Sequence, residues 1–309
     1  HNTSWTADRF IEWVNQGRKT DTPFATWVSF PDPHHPFDCP EPWSRLHDPA
    51  EVDLPENRSR NFEGKPWWHR AAIENEPGDK KFAEVRKAYS RIAPQTDEQL
   101  REIIANTYGQ LAYIDHEVGR ILTALNQAGL DDNTLVIYIS DHGDWLGDHG
   151  LILKGPMHYE GLLRVPMIVR GPGVRVAASV DQPVSTLDLG ATFLDYGSAQ
   201  PLQTQHGASL RQLLENADAT RDFALNEWGL LAGRVGVELE LRTVRTRTHK
   251  MTLDLNSGAG ELYDLQTDPH EMTNLFDAPE AREIRRQLEA YISSRPADTR
   301  PNATPVGTA

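Results

Sequence analysis

Residues 134–150, TLVIYISDHGDWLGDHG, decide how the rest of the chain is interpreted. Thr134–Ile139 is an apolar run, rich in β-branched residues and without polar alternation. Such a run is typical of a strand buried on both faces, as in the middle of a parallel sheet. Ser140–Gly150 follows with three aspartates, two histidines and three glycines. Because open α/β sheets bind ligands where their strands end, this stretch predicts a hard metal ion or a general acid/base pair at a sheet edge.

Asp141 and His142 are the candidate metal ligands of this stretch. Gly143 permits a sharp turn, and two adjacent side chains at such a turn can both reach one cation. A carboxylate with an imidazole suits Mn, Zn or Fe, and it accepts Ca or Mg when further oxygens are supplied. An alternative stays open, in which Asp141 caps the turn and His142 is a hydrogen-bonded polar residue. The other polar residues of the stretch are predicted to support the loop: Asp144, Asp148 and His149.

Two further polar residues are candidates for contact with a substrate. Lys154 follows the stretch among apolar neighbours, and it either neutralises an anionic substrate oxygen or is an ordinary solvated charge. His34 lies in the proline-rich loop PDPHHPF, where it either donates to a substrate oxygen, acts as a general acid or supports the loop. Cys39 has no base or cation beside it in the sequence that would lower the pKa of its thiol, so we predict a structural role for it.

The clearest predicted helix begins at Thr96 and ends near Gly129. Thr96 and Gln99 fit a capping box, and apolar residues recur at three-to-four spacing up to Gly129. A helix that leads directly into a buried strand is typical of an α/β crossover unit. Residues 41–95 are irregular and rich in proline, charged and aromatic residues. Two interpretations of them stay open: a wall or lid of a substrate pocket, or an excursion packed on the surface.

The remaining patterns complete the predicted fold. In the first part of the chain they predict buried strands at 25–30 and 165–170 and helices at 6–15 and 185–196. Beyond about residue 223 the pattern changes to the alternation of half-exposed antiparallel strands, at 237–246, 249–255 and 261–265, before a final helix at 278–293. We therefore predict an α/β fold with a largely parallel central sheet flanked by helices, and a smaller C-terminal antiparallel sheet with a helix.

The composition argues against several classes of function. The 309 residues carry a net charge of −14, which argues against a binding surface for nucleic acid or for an anionic membrane. No apolar stretch is long enough to span a bilayer, and the single cysteine rules out an internal disulfide. Neither the charge nor the cysteine indicates a compartment, so the localisation is unknown.

Five segments, in their order along the chain, resemble the sulfatase family within the alkaline-phosphatase-like superfamily. They are WVSFPDPHHPF at 27–37, IDHEVGRILTALNQAGLDDNTLVIYISDHGDWLGDHG at 114–150, LLRVPMIVRGPG at 162–173, DQPVSTLDLGATFLDY at 181–196 and GELYDLQTDPHEMTNL at 260–275. Any one alone is a weak signal, but together they are highly specific. The resemblance implies the C-terminal part of a sulfatase-like α/β catalytic domain at 1–220. The sequence pattern predicts an antiparallel-sheet subdomain with a terminal helix at 221–295 and a disordered tail at 296–309.

The resemblance also implies roles for individual residues. Asp141 and His142 match the family's C-terminal pair of metal ligands. Lys154 and His34 match the lysine and the histidine that contact the sulfate or phosphonate oxygens. Many sulfatases have Asp-Asn at the metal pair, whereas Asp-His is more similar to phosphonate monoester hydrolases and a subset of sulfatases. The implied cofactor is a divalent cation, with calcium as the first expectation and manganese, magnesium or zinc as alternatives.

The family's nucleophile is a formylglycine made from the Cys or Ser of a Cys/Ser-X-Pro/Ala-X-Arg motif, which no residue of this sequence fits. We therefore expect the formylglycine in a preceding segment, this chain to be a C-terminal portion, and the chain to be inactive by itself. The implied function is metal-dependent hydrolysis of a small-molecule sulfate monoester. Two alternatives stay open: hydrolysis of a phosphonate or phosphate ester on the same scaffold, and a catalytically inactive fragment. A homo-oligomer is a further option.

Overall fold

The computed structural model describes residues 1–19, 22–88, 95–202 and 205–297, and the chain divides into two compact units. Unit 1 consists of His1–Asn61, Arg86–Gly155 and Glu160–Pro172. Unit 2 consists of Phe62–Val85, Pro156–Tyr159 and Gly173–Ala309. The domain boundary expected between residues 220 and 221 stays a prediction, and most of the tail expected at 296–309 lies outside the described residues.

Unit 1 is built on its longest helix, α4 (Asp97–Gln127). The Thr96 hydroxyl accepts from Gln99 N at 3.2 Å and the Gln99 side chain accepts from Thr96 N at 3.1 Å, which confirms the predicted capping box. Helix α1 (Asn2–Glu12) packs against α4. Gly129 follows α4 with a φ of +67°, a conformation that favours glycine at the end of a helix. The core between these helices is apolar: Ala7, Phe10, Val14, Ile121 and Leu125.

Two of the predicted strands of unit 1 are present, as β1 (Val136–Ile139) and β2 (Met167–Arg170). They pair antiparallel, whereas we predicted a largely parallel sheet. Within the described part of unit 1 they form the only sheet, and residues 25–30, predicted as a strand, contain none. Trp27 is 88% exposed there. The reason is physical, because an apolar run is buried only where another segment covers it, and the run carries no information on the presence or the direction of a neighbouring strand.

Unit 2 contains the predicted antiparallel sheet, with the strand order β3-β4-β5-β6. These strands are β3 (Ala224–Leu230), β4 (Leu239–Arg245), β5 (His249–Asp254) and β6 (Gly260–Asp264). The predicted C-terminal helix, α9 (Arg282–Ser293), packs on β4. Strand β3 was not predicted, because its sequence ALNEWGL does not alternate between apolar and polar residues. The core between sheet and helix is apolar: Val244, Met251, Leu262, Phe276, Leu288 and Ile292.

Residues 41–95 are more regular than predicted. Their described part contains two 3₁₀ turns, Trp43–Arg45 and Pro49–Glu51, and the helices α2 (Trp67–Glu74) and α3 (Lys80–Ala88). Trp68 of α2 is 0% exposed and Trp67 is 45% exposed, so one face of this helix packs into unit 2 and the other faces solvent. The other helices are short: α5 (Glu160–Leu163), α6 (Asp188–Tyr196), α7 (Arg211–Glu215) and α8 (Ala232–Val235). None of the helices in the described residues combines the length and the apolar character that a membrane crossing requires.

Candidate functional site

The turn after β1 carries the two predicted metal ligands, and close backbone packing determines its shape. Gly143 N donates to Leu162 O at 2.8 Å. A Cβ atom on Gly143 would lie 2.0 Å from Gly161 O, a distance that no side chain can occupy. Glycine is therefore required at this position, and the backbone that presents Asp141 and His142 is held against α5.

His142 has one ring nitrogen engaged and one directed toward the neighbouring candidates. Its Nδ1 lies 2.8 Å from Gly143 O. Because a carbonyl oxygen only accepts, Nδ1 carries the proton of the neutral ring and Nε2 keeps a lone pair. Nε2 lies 2.8 Å from Nζ of Lys154 and 3.7 Å from Oδ2 of Asp141. Three of the four predicted site residues therefore meet around one imidazole nitrogen.

The Asp141 carboxylate has one oxygen in the turn and one directed toward His142. Oδ1 accepts from His142 N at 2.9 Å, as the turn-cap alternative requires. Oδ2 faces the imidazole, and the side chain is 82% exposed. An exposed carboxylate oxygen and an imidazole lone pair that face each other are a donor set that suits a divalent cation.

A complete metal site has more than these two ligands. Zinc takes about four ligands, and calcium takes about six to eight. Within residues 1–19, 22–88, 95–202 and 205–297, no group of three or more His, Cys, Asp and Glu side chains could hold a metal ion. The residues therefore fit a cation as a pair of ligands, and further ligands are needed to complete its coordination.

His34, the fourth predicted residue, lies in an exposed loop of unit 1. Its Nδ1 lies 2.8 Å from His35 O. His34 and His142 are connected only indirectly, because both imidazoles act electrostatically on the carboxyl group of Asp144. Burial raises the pKa of Asp144 to about 6, while two backbone hydrogen bonds and the imidazoles of His142 and His34 act to lower it. The structure thus brings His34 within electrostatic range of the same carboxyl group as His142, but not into contact with Lys154 or Asp141.

The loop between the metal pair and Lys154 is held in an unusual backbone conformation. Asp144 Oδ1 accepts from Leu146 N at 3.0 Å and from Leu153 N at 2.8 Å, which closes the loop as the predicted supporting role requires. Five residues between 146 and 153 have positive φ, a conformation that is uncommon for residues other than glycine and that clusters at functional sites. Together these features fix the backbone directly before Lys154. The residues with positive φ are Leu146, Gly147, His149, Gly150 and Leu153.

Cys39 has the environment of a structural thiol. Burial raises its pKa, and the carboxylates of Asp32 and Asp38 raise it further. A Cβ atom added to Gly109 of α4 would lie 3.1 Å from the Cys39 sulfur, so the thiol fills space against the helix. A protonated, packed thiol is a poor nucleophile, in agreement with the sequence analysis.

Unit 2 contains a buried charged cluster that the sequence analysis did not predict. Lys250 and Glu271 form an ion pair in which the side chains are 1% and 3% exposed. Glu261, 1% exposed, lies 3.1 Å from His69 Nε2 and accepts from Tyr263 OH at 2.7 Å. Burial acts to raise the pKa of Glu261, but the neighbouring histidine, tyrosine and lysine bring it down to about 2.

A second lysine balances the charge of this cluster. Lys65 donates from Nζ to Tyr263 OH at 3.0 Å and to Glu271 O at 2.5 Å. Burial lowers the pKa of Lys65, while the nearby glutamates raise it. Two ammonium groups thus oppose two carboxylates in the interior of unit 2. This arrangement is closed and compensated, which favours a structural role over a catalytic one.

We expect the contribution of His158, a fully buried neighbour of this cluster, to the free energy of unfolding to fall between pH 7 and pH 5. The raised pKa of Asp144 acts in the opposite direction over the same range. Burial lowers the pKa of His158 from 6.5 to about 3. Between these values the unfolded chain binds a proton that the folded chain does not, so stability is lost as the pH falls. The loss from this group should be roughly 2 kcal/mol at pH 5. Denaturant titrations at the two pH values measure it.

The matched variant for this prediction is His158→Asn, which keeps a polar group near the Thr243 hydroxyl that lies 2.6 Å from His158 Nδ1. The variant should lose about 2 kcal/mol less than the unmodified chain between pH 7 and pH 5. Equal losses in the two proteins would show that the imidazole does not titrate in the expected way.

The comparisons with known proteins identify the family. The model of the Sulfatase family matches residues 2–199, and the model described as N-sulphoglucosamine sulphohydrolase, C-terminal, matches residues 147–297. An arylsulfatase of Clostridium perfringens is 30% identical over 288 residues, which are 92% of this chain and 55% of that protein. The chain spans about half the length of the curated relatives it matches first, 55% and 52%.

Solved structures of the same fold support the α/β prediction. A phosphonate monoester hydrolase of Agrobacterium radiobacter is 26% identical, with a TM-score of 0.76 over 97% of this chain and 64% of that chain. A protein solved with D-glucosamine-2-N,6-O-disulfate is 22% identical, with a TM-score of 0.76 over 95% of this chain and 69% of that chain. The predicted alkaline-phosphatase-like α/β fold is thereby confirmed.

Proposed function

The chain belongs to the sulfatase family, and we propose that the protein containing it hydrolyses a sulfate monoester at a site formed in part by Asp141, His142 and Lys154. One observation carries the proposal: a carboxylate, an imidazole lone pair and an ammonium group meet around Nε2 of His142, at 3.7 Å and 2.8 Å. A divalent cation and fixed hydrogen-bond donors can each stabilise negative charge on the oxygens of an anionic ester. The family match and the similarity to an arylsulfatase support sulfate as the first choice of anion.

Asp141 and His142 would hold a divalent cation, with calcium the first expectation from the family. The chemistry that such a cation supplies when bound is stabilisation of negative charge on an ester oxygen. Once Nε2 of His142 is engaged as a ligand, the ammonium group of Lys154 loses that acceptor. Lys154 would then bind and orient a sulfate oxygen and stabilise the charge that grows on it as the S–O bond breaks.

His34 would supply a second hydrogen bond to the same sulfate group. Because its Nδ1 already faces His35 O at 2.8 Å, only Nε2 remains for a substrate, and it donates when the ring is protonated. The nucleophile, by family resemblance a formylglycine, has no counterpart among the 309 residues, and we expect it in another segment of the protein.

A second candidate is hydrolysis of a phosphonate monoester on the same scaffold. It is favoured by the Asp141–His142 pair and by the likeness to the Agrobacterium radiobacter hydrolase at 26% identity. Sulfate and phosphonate monoesters share tetrahedral geometry and anionic oxygens, so one site could accept both, with different rates.

A substrate comparison tests the two candidates. We expect kcat/KM for 4-nitrophenyl sulfate to exceed that for 4-nitrophenyl phenylphosphonate, and we expect chelation of divalent cations to abolish both activities. The same leaving group in both substrates keeps its chemistry constant. A ratio in favour of the phosphonate would support the second candidate, and turnover that persists after complete chelation would contradict a metal-dependent site.

A further inference from the structure

Unit 2 contains a cavity of about 190 Å³ that the proposed hydrolysis does not use. Its walls come from the segment before α6, from α7 with the residues that follow it, and from the turn between β4 and β5. Arg175 and Arg247 line it, opposed by one acidic side chain, Asp181. The net charge of the chain is −14, whereas this cavity is lined by two guanidinium groups and only one carboxylate, so its local charge is positive.

Arg175 has a guanidinium group with an unused buried donor. Its backbone N donates to Leu214 O at 3.1 Å and its Nη2 donates to Leu213 O at 3.1 Å, so carbonyl oxygens hold it in place. Its Nε is shielded from solvent and has no hydrogen-bond partner within the described residues. Buried donors are almost always paired in folded proteins. An acceptor inside the cavity would satisfy this one.

Arg247 lies at the tip of a rigid turn. The Thr246 hydroxyl accepts from His249 N at 3.0 Å and from Thr248 N at 3.4 Å, which fixes the backbone on both sides of Arg247. The Arg247 side chain is exposed, and no ion pair neutralises it within the part of the chain that the structure describes. Its charge is therefore available to a ligand in the cavity.

Asn216 adds neutral hydrogen-bond donors to the lining. Its Oδ1 accepts from Asp218 N at 2.9 Å, which directs the amide N–H groups away from that bond, and no acceptor for them lies within the described residues. Asp181, in contrast, only accepts when ionised, and it would repel a bare anion while accepting from a hydroxyl group. A ligand that joins an anionic group to hydroxyl groups uses both kinds of lining residue.

We propose that this cavity, the Arg175–Arg247 cavity, is a second anion site that binds a sulfate group carried on a sugar. The guanidinium groups take the sulfate oxygens, because planar arginine donors match tetrahedral oxyanions. Asp181 and Asn216 take ring hydroxyls. A volume of about 190 Å³ exceeds what a few water molecules need, and it leaves room for part of a ring beside the sulfate. The site binds and does not react, so its occupation can be measured independently of hydrolysis.

The test is calorimetric titration with three probes: N-acetylglucosamine 6-sulfate, sodium sulfate and N-acetylglucosamine. The protein carries Lys154→Met, so that the proposed hydrolytic site contributes little. We expect the sulfated sugar to bind most tightly, sodium sulfate more weakly and the uncharged sugar least. Arg247→Gln should weaken binding of the sulfated sugar by about tenfold or more. The matched control, Arg286→Gln, removes an exposed arginine of α9 and should leave the affinity unchanged.

An NMR signal of Arg175 and a variant of Asp181 test the assigned contacts separately. The Nε–H signal of Arg175 in a ¹H–¹⁵N spectrum should shift on addition of the sulfated sugar, because it gains an acceptor. Asp181→Asn should tighten binding of sodium sulfate, since it removes a repelling carboxylate, and should not tighten binding of the sulfated sugar equally. An unchanged affinity in Arg247→Gln, or an Arg175 signal that does not move, would overturn the proposal. Sodium sulfate binding as tightly as the sulfated sugar would overturn the sugar assignment.

Discussion

Replacing Lys154 by methionine is expected to lower kcat/KM for a sulfate monoester by roughly 10²–10³-fold in the protein that contains this chain. Methionine keeps the apolar stem but removes the ammonium group, whose nitrogen lies 2.8 Å from Nε2 of His142. Negative charge grows on the ester oxygens as the S–O bond breaks, and a fixed ammonium group stabilises that state more than the bound substrate. We therefore expect kcat to fall more than KM rises in steady-state kinetics with 4-nitrophenyl sulfate.

Two variants control for effects other than the position of the charge. Lys81→Met removes an exposed lysine of α3 and should change kcat/KM by no more than about twofold, since exposed charges far from a reaction are screened. Lys154→Arg keeps the charge with a different donor geometry and should recover part of the activity. Equal midpoints of thermal unfolding would show that the fold is intact. A Lys154→Met protein with full activity would exclude Lys154 from the proposed site.

Local patterns in the sequence are sufficient to predict α4 and β1, the helix and the strand that lead into the candidate site. The capping box of α4 involves residues three positions apart, and the end of the helix depends on one glycine. Such features are determined by neighbours along the chain. The contact of Lys154 with His142 is different, because the local pattern left the role of Lys154 open and only the family resemblance implied its place in the site.

Features that depend on distant segments could not be predicted in the same way. The antiparallel pairing of β1 with β2 depends on which segment reaches β1, and an apolar run does not specify this. Trp68 is buried although its surroundings in sequence are rich in proline and charge. The charged cluster around Glu261 joins side chains from four separate segments, and a single lysine or glutamate in sequence is far more often exposed than buried. The family resemblance gave the only signal for this cluster, since Glu261, Tyr263 and Glu271 all lie in its segment GELYDLQTDPHEMTNL.

Replacing Lys250 by methionine is expected to reduce the free energy of unfolding by about 3–5 kcal/mol. The Lys250 and Glu271 side chains are 1% and 3% exposed, and the cluster balances two ammonium groups against two carboxylates. The single variant leaves one buried carboxylate uncompensated. The double variant Lys250→Met, Glu271→Gln restores the balance, since Lys65 then faces Glu261 alone, and it should be more stable than Lys250→Met.

Denaturant titration followed by circular dichroism measures these differences, with an unchanged m-value as the sign of an unchanged unfolding transition. The exposed pair of Arg286 and Glu283 in α9 provides the contrast, with side chains 76% and 82% exposed. Arg286→Met should cost less than about 1 kcal/mol, because exposed ion pairs contribute little. If Lys250→Met and the double variant were equally destabilised, loss of packing and not loss of charge balance would explain the effect. The cluster would then stabilise unit 2 through its shape, and its charges would be incidental.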